Sequence, residues 1–309
     1  LWSGSPESLV DLHPAGFDNS YALGVDAGQQ IGFAELENPF RQQAILWSGS
    51  AQSYVNLHPA GYWHSAGLGI GGGVQVGAGA FEPDPYYNSP RALMWRGTAE
   101  SVVDLHPPGV PGQSGAYGTD GIQQVGAVST GGPFHAALWE GTPESFVDLH
   151  PQGSNASWAF AVANGQQVGY AGVNNISRAA IWFGSPQSYV DLHPFPTGGS
   201  QLFGTNGIQQ VGQISVVGVG NHAGVWSGTA ESFVNLHQFL PSQFHGPGER
   251  SVAHGIDEMG NIIGYATELG PNGGARAVMW VVPEPGTICA LATGLLALAL
   301  RRPRKKPCG

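Results

Sequence analysis

Six histidines close the same short segment along the chain. His13, His58, His106, His150, His193 and His237 each end a V-[DN]-L-H run, so every imidazole stands two residues after a carboxylate or carboxamide. Imidazole beside carboxylate is raw material for metal ligation and for acid–base catalysis. A second set lies in HQFLPSQFHGPGERSVAH, residues 237–254, which holds His237, His245, Glu249 and His254; its spacings match no known ligand motif. A third set, Asp26, Asp120 and Asp257, follows short apolar runs at near-equivalent points. Such acids could serve a lyase or hydrolase acting on polysaccharide. Which of these chemistries is open depends on the elements that carry the residues.

Those elements are repeated. Trp2, Trp47, Trp95, Trp139, Trp182, Trp226 and Trp280 are spaced by 45, 48, 44, 43, 44 and 54 residues. After each of the first six comes a GS or GT turn and then LVDLH, YVNLH, VVDLH, FVDLH, YVDLH or FVNLH. A Gly-rich turn follows, with GQQIG, GVQVG, IQQVG, GQQVG, IQQVG or GNIIG, and then an A-x-x-W run. One period, residues 154–193, contains four strand-like runs, WAFAV, QQVGYA, RAAIW and SYVDL, separated by turn residues. No segment of this body carries a sustained helical stripe.

Four strands in about 45 residues indicate an all-β chain and a β-propeller blade. The weaker alternative is a β-solenoid, whose coils are shorter. Six blades are expected, over residues 1–282. The chain opens on the last strand of a repeat and its sixth unit lacks one, so Leu9–Leu12 is expected to complete the final blade and remove an exposed edge. The VDL run is read as the outermost strand and the small-residue runs, such as YALGV and AFAV, as the innermost. The A-x-x-W strands are read as sandwiched between blades. Their tryptophans then bridge neighbours, and Trp139→Ala is expected to cost roughly 3–5 kcal/mol.

On this architecture the repeated polar residues are scaffold. A fourth strand sits on the order of 15–20 Å from the axis, because strands are ~4.8 Å apart. Outer-strand histidines of adjacent blades would be similarly separated, whereas Zn–N bonds need ~2.0–2.1 Å. The histidines are read as strand-end turn residues, with Pro following five of the six. The preceding Asp or Asn is read as satisfying turn amides, and Asp26, Asp120 and Asp257 as turn residues. GLGIGG at 67–72 opens no helix, which excludes a dinucleotide site. FEPDPYYNSP at 81–90 is a solvated turn or a carbohydrate-contacting loop. Trp63 and Trp158 break the repeat, as stacking platforms or as buried supports. Asn155 and Asn175 begin N-x-[ST] triplets. No catalytic residue, cofactor or metal is expected.

Charge narrows the partners. Up to Val282 the chain has six arginines, no lysine and twenty acidic residues, a formal −14. Such a body repels nucleic acid and anionic lipid. It also lacks cysteine, because Cys289 and Cys308 lie near the C-terminus, so neither disulfides nor thiolate metal sites hold it together.

The unit [RH]-A-x-x-W, V-[DN]-L and G-x-Q-[VI]-G resembles the bacterial extracellular repeats called HAF. His135 and His222 stand at the family's namesake histidine, replaced by Arg91, Arg178 and Arg276 and by Gln43. The family has no uniform enzymatic activity, so the resemblance implies a surface role.

Residues 283–309 resemble a PEP-CTERM sorting signal. Pro283, Glu284 and Pro285 match its name motif, Thr287–Leu300 its apolar stretch, and Arg301, Arg302, Arg304, Lys305 and Lys306 its basic end. The resemblance implies export, recognition by an exosortase-type processing enzyme, transient membrane insertion through a C-terminal hydrophobic helix, and a Gram-negative-type bacterium. The basic end suits the cytoplasmic side. The apolar stretch is shorter than the ~20 residues that span a bilayer unaided. An export signal upstream of Leu1 is expected. The combined reading is a structural or binding protein of the cell surface or matrix, with a surface polysaccharide or matrix protein as partner. A polysaccharide-active propeller enzyme and a passive spacer are the alternatives.

Overall fold

The computed structural model describes residues 6–81, 89–194, 198–246, 248–268 and 273–281. It is a six-blade β-propeller of antiparallel sheets. Blade one runs Asn19–Asp26, Gln29–Glu37, Phe40–Trp47 and Val55–Asn56 from inner to outer strand. Blade two is Tyr62–Gly71, Val74–Phe81, Arg91–Trp95 and Val103–Asp104. Blade three is Ser114–Thr119, Gln124–Ser129, Phe134–Trp139 and Val147–Asp148. Blade four is Ser157–Ala163, Gln166–Val173, Ile176–Trp182 and Val190–Asp191, and blade five Ser200–Thr205, Gln210–Val216, Gly220–Trp226 and Val234–Asn235. Blade six has three strands among the described residues, Ser251–Ile256, Ile262–Thr267 and Ala275–Trp280.

The V-[DN] run is the outer strand, in a fixed register: the residue before Trp faces Val and the one before that faces Asp or Asn. The small-residue runs are innermost because neighbouring backbones press together there. A Cβ on Gly69 would lie 2.5 Å from the Tyr117 carbonyl oxygen of the next blade, and one on Gly118 as close to that of Phe160. The tightest spacing thus admits no side chain at all, which explains the glycines of GLGIGG; that segment is the end of a strand, with Gly72 in the turn after it.

Five cores join consecutive blades, with the repeat tryptophans bridging as expected. Trp139 packs with Val76, Met94 and Leu105 of blade two. Trp182 does the same on blade three, Trp95 on blade one, Trp226 on blade four, and Trp280, partly buried, on blade five. Trp47, Trp95, Trp139, Trp182 and Trp226 are completely buried.

No such core joins blade six to blade one among the described residues, and Leu9–Leu12 does not pair with Ala275–Trp280. The expected fourth strand of blade six is therefore absent there. The N-terminal segment keeps only the half of that joint that faces blade one, with the contacts each V-[DN]-L-H run makes on the blade that follows it. Leu12 is buried against Trp47, and His13 bonds to Ser20 and to the Phe17 carbonyl. Leu9 and Val10 stay exposed, as do Tyr21, Leu23 and Val25 on one flank of this seam and Ile263 and Met279 on the other. The hydrophobic C-terminal helix and the sorting residues Pro283, Glu284, Pro285, Arg301 and Arg302 lie outside the described residues, as do Glu82, Asp84, Tyr86 and Tyr87 of the 81–90 loop. Among the described residues no helix is long and apolar enough to cross a membrane.

Candidate functional site

The six repeated Asp and Asn side chains do what turn residues do. Each accepts the backbone N–H of the histidine two positions on, at 2.8–3.0 Å. In five of the six, from Asn56 to Asn235, the second polar atom is spent on the third strand of the same blade. Arg91 bonds Asp104 at 3.0 Å, His135 bonds Asp148 at 2.8 Å, Arg178 bonds Asp191 at 2.7 Å, and Asn56 bonds Gln43 at 2.7 Å. Arg therefore pairs with Asp and Gln with Asn, which keeps each outer edge electrically matched.

The histidines do more than end a strand. Each Nδ1 lies 2.8–3.0 Å from a serine on the following inner strand: Ser20, Ser65, Ser114, Ser157, Ser200 or Ser251. From Ser65 onward the same hydroxyl accepts the N–H of Ala44, Ala92, Ala136, Ala179 or Ala223 in the preceding blade. At His13, His58, His106 and His150, Nε2 reaches a carbonyl oxygen, so Nε2 carries the proton and the serine hydroxyl donates to Nδ1. This His–Ser–Ala latch joins one blade to the next. Sequence reading missed the serine, although it stands seven residues after the histidine in four of six repeats.

A second repeated device is the latter Gln of the G-x-Q turn. Gln30, Gln75, Gln124, Gln167 and Gln210 are buried, donate to a hairpin carbonyl and accept the glycine N–H of the W-x-G turn. With these polar groups committed to the blades, the irregular places remain.

The first is the axis. Asp26, Asp120, Asp257 and Glu258, with Asn164 and Asn206, line a funnel of about 1090 Å³ at the C-terminal ends of the inner strands. The structure thus gathers the three repeat-equivalent aspartates, but they are held as turn residues. Asp120 accepts the N–H groups of Ile122 and Gln123, Asp26 that of Gly72 in blade two, and Asp257 bonds both the backbone and the amide of Asn261. Asn261 and the backbone bonds hold the Asp257 carboxyl below its usual range.

Deeper along the inner strands, Tyr117, Phe160, Phe203 and His254 form an arc across blades three to six. Their consecutive ring centroids lie 5.7, 5.7 and 5.3 Å apart. Each stands three residues after its latch serine, a spacing visible in the sequence and overlooked there. Burial raises the Tyr117 hydroxyl pKa and lowers the His254 imidazole pKa, and the Phe203 and Tyr265 rings stack on His254. Trp158 packs between Phe134 and Tyr170, and Trp63 lies under the Arg41 guanidinium at 4.2 Å, so both are half-buried supports.

The second irregular place is the 237–254 loop. His222 and His237 stack at 4.2 Å and 9°, and Glu249 lies 3.0 Å from His222 Nε2 and 3.6 Å from His237 Nε2. Outer-strand histidines of different blades stay apart, but here a third-strand histidine meets the one that ends the outer strand of the same blade, and the insertion adds the acid. Burial, then the neighbouring His222 and against the pull of Glu249, keeps His237 below the ordinary histidine range, and burial does so for His222. Burial alone would raise the Glu249 pKa, but the Gly246 N–H and the two histidines outweigh it and hold the carboxyl ionised. His254 lies away from this group, in the axial arc.

Residues 281–305 match the family model of the PEP-CTERM protein-sorting motif. No curated protein matches the chain. Among solved structures the chain is similar to puromycin hydrolase (14% identity, TM-score 0.51, 84% of this chain and 45% of that one). It is also similar to a puromycin-hydrolyzing peptidase of Mycobacterium tuberculosis (16%, TM-score 0.50, 83% and 43%) and to TolB from Acinetobacter baumannii (13%, TM-score 0.48, 70% and 53%). The chain spans about half the length of these proteins, and the likeness is one of fold. The chain is thus a six-blade propeller that ends in a PEP-CTERM sorting motif, which marks it for export and sorting by an exosortase.

Proposed function

We propose that the chain is a cell-surface or matrix protein whose propeller binds a surface polysaccharide or a matrix protein, with no enzymatic activity of its own. The sorting motif at 281–305 carries this reading, because it sends the acidic body outside the cell. The HAF-like repeats support it through six copies of one scaffold, whose polar residues are consumed in blade joints. The axial funnel is the concave, partly apolar surface a ligand would enter, and the aromatic arc stands on the same inner strands that carry its rim.

A glycan array and a pull-down from matrix extract test the proposal, with Phe160→Ala and Phe203→Ala as channel variants. Retention of a glycan or matrix protein, weakened at least tenfold in those variants, is the expected result. No retained ligand at all would sink it. Turnover of extracted exopolysaccharide abolished by Asp257→Ala would replace it with the enzymatic alternative.

A further inference from the structure

Blade five alters the latch at one atom. In four other joints the repeat histidine gives its Nε2–H to a carbonyl four residues on. At His237 the following serine is fourteen residues away instead of seven or eight, and the inserted loop supplies no such carbonyl. His237 is 1% exposed and its buried Nε2 has no hydrogen-bond partner. The insertion places Glu249 opposite that nitrogen, at 3.6 Å.

His245 adds a second anomaly. Its Nε2 lies 2.8 Å from the Leu240 carbonyl oxygen and must carry the proton. A neutral His245 therefore turns a bare Nδ1 lone pair toward a Glu249 oxygen 4.0 Å away. Two acceptors that face each other are joined by a cation, either a proton on the ring or a metal ion.

We propose that His222 Nε2, His237 Nε2, His245 Nδ1 and the Glu249 carboxylate form a site for one divalent transition-metal ion of the zinc class. Three imidazoles and a carboxylate are ligand types this class takes. The ligand atoms of His222, His237 and Glu249 lie within 4.8 Å of one another. A tetrahedral ion with bonds of ~2.0–2.1 Å sets its ligands about 3.4 Å apart. His222 Nε2 stands 3.0 Å from Glu249 Oε1, while His237 Nε2 and His245 Nδ1 stand 3.6 and 4.0 Å from Oε2. The three rings thus converge on the two oxygens of one carboxylate, and the loop histidine closes in on the other three groups on loading. Two further local adjustments accompany loading. One ring tilts out of the stack so that the lone pairs converge. The His222 proton moves to Nδ1, so the Asn235 amide, now donating there at 3.0 Å, must turn its oxygen to that proton and release the His237 N–H it accepts at present. Asp148 already performs both tasks in blade three, accepting from His135 Nδ1 and from the His150 N–H together. With four protein ligands the ion is structural: it ties the insertion to the outer edge of blade five.

The full chain, stripped by chelator and titrated with zinc chloride alone, tests this by calorimetry and by elemental analysis after desalting. One bound equivalent and a raised melting temperature are expected. Glu249→Gln and His245→Ala, both on the loop and compatible with an unchanged metal-free melt, should each weaken binding at least tenfold. Asn235→Asp should tighten it about tenfold, as a carboxylate behind a ligating histidine does. His135→Gln, which breaks the only other stacked histidine pair among the described residues, should leave uptake unchanged. Absence of stoichiometric uptake would overturn the proposal, as would uptake that survives the Glu249→Gln/His245→Ala double variant or is lost with His135→Gln.

Discussion

His150 shows how one residue type serves a joint and sets a pH limit on it. Its Nδ1 accepts from Ser157 and its Nε2–H is given to the Ser154 carbonyl, so only the neutral ring completes the latch. Burial lowers its pKa first and the His135 ring stacked at 3.9 Å lowers it further, while the Ser154 carbonyl and Asp148 pull the other way. His193 is lowered by burial and then by Arg178, against Asp191. A folded pKa below the unfolded ~6.5 means that the unfolded chain takes up protons first as pH falls. Stability is then independent of these rings above about pH 6.5 and declines below it until the folded pKa is passed. Melting temperatures should fall between pH 7 and 5, and a His150→Asn/His193→Asn double variant should melt lower at pH 7 with a flatter decline. An equal decline in both proteins would show that the latch histidines are not the titrating groups.

At the scale of the blade, the sequence was most informative where a residue's role is set by its own strand. Trp139 recurs at one position, so its burial and its place before the VDL turn could be read from spacing. The latch could not, because Ser157 acts on Ala136 and His150, which belong to the preceding blade. Of the blade-five cluster, His237, His245 and Glu249 stand in one loop and could be read together, whereas His222 could not, because it meets them only across the pairing of the third and outer strands. Packing also separates tryptophans that look equivalent in sequence. Trp139 is completely buried among residues of blades two and three, whereas Trp280 is partly exposed beside Met279 at 56% exposure. Trp139→Ala should cost about 3–5 kcal/mol and Trp280→Ala roughly half that or less, since less surface leaves water. Urea unfolding of the two variants checks the order, and equal losses would mean that blade six packs as tightly as blade three.

At the scale of the molecule the seam between blades six and one is the weak joint, although the chain holds every part of a sixth joint. Arg276 occupies the third-strand position where Arg91 and Arg178 bind an aspartate, and the N-terminal segment offers Asp11. Ala277 occupies the position whose N–H elsewhere meets a latch serine, and Ser20 already holds His13. The register shared by five blades would set Met279 opposite Val10. In the open form Arg276 bonds Glu268 instead, and both flanks leave apolar side chains in water. Their burial is worth about 25 cal/mol per Å², and pairing would satisfy an exposed edge. Replacing Val10 and Met279 by cysteine, with Cys289 and Cys308 changed to serine, turns this into a measurement. Antiparallel partners stand ~4.5–5.5 Å apart at Cα, within disulfide range. Oxidation should give a monomeric cross-link and raise the melting temperature. Free thiols under the same conditions would mean that the seam stays open in solution, and cross-linked dimers that blade six takes its outer strand from a second chain.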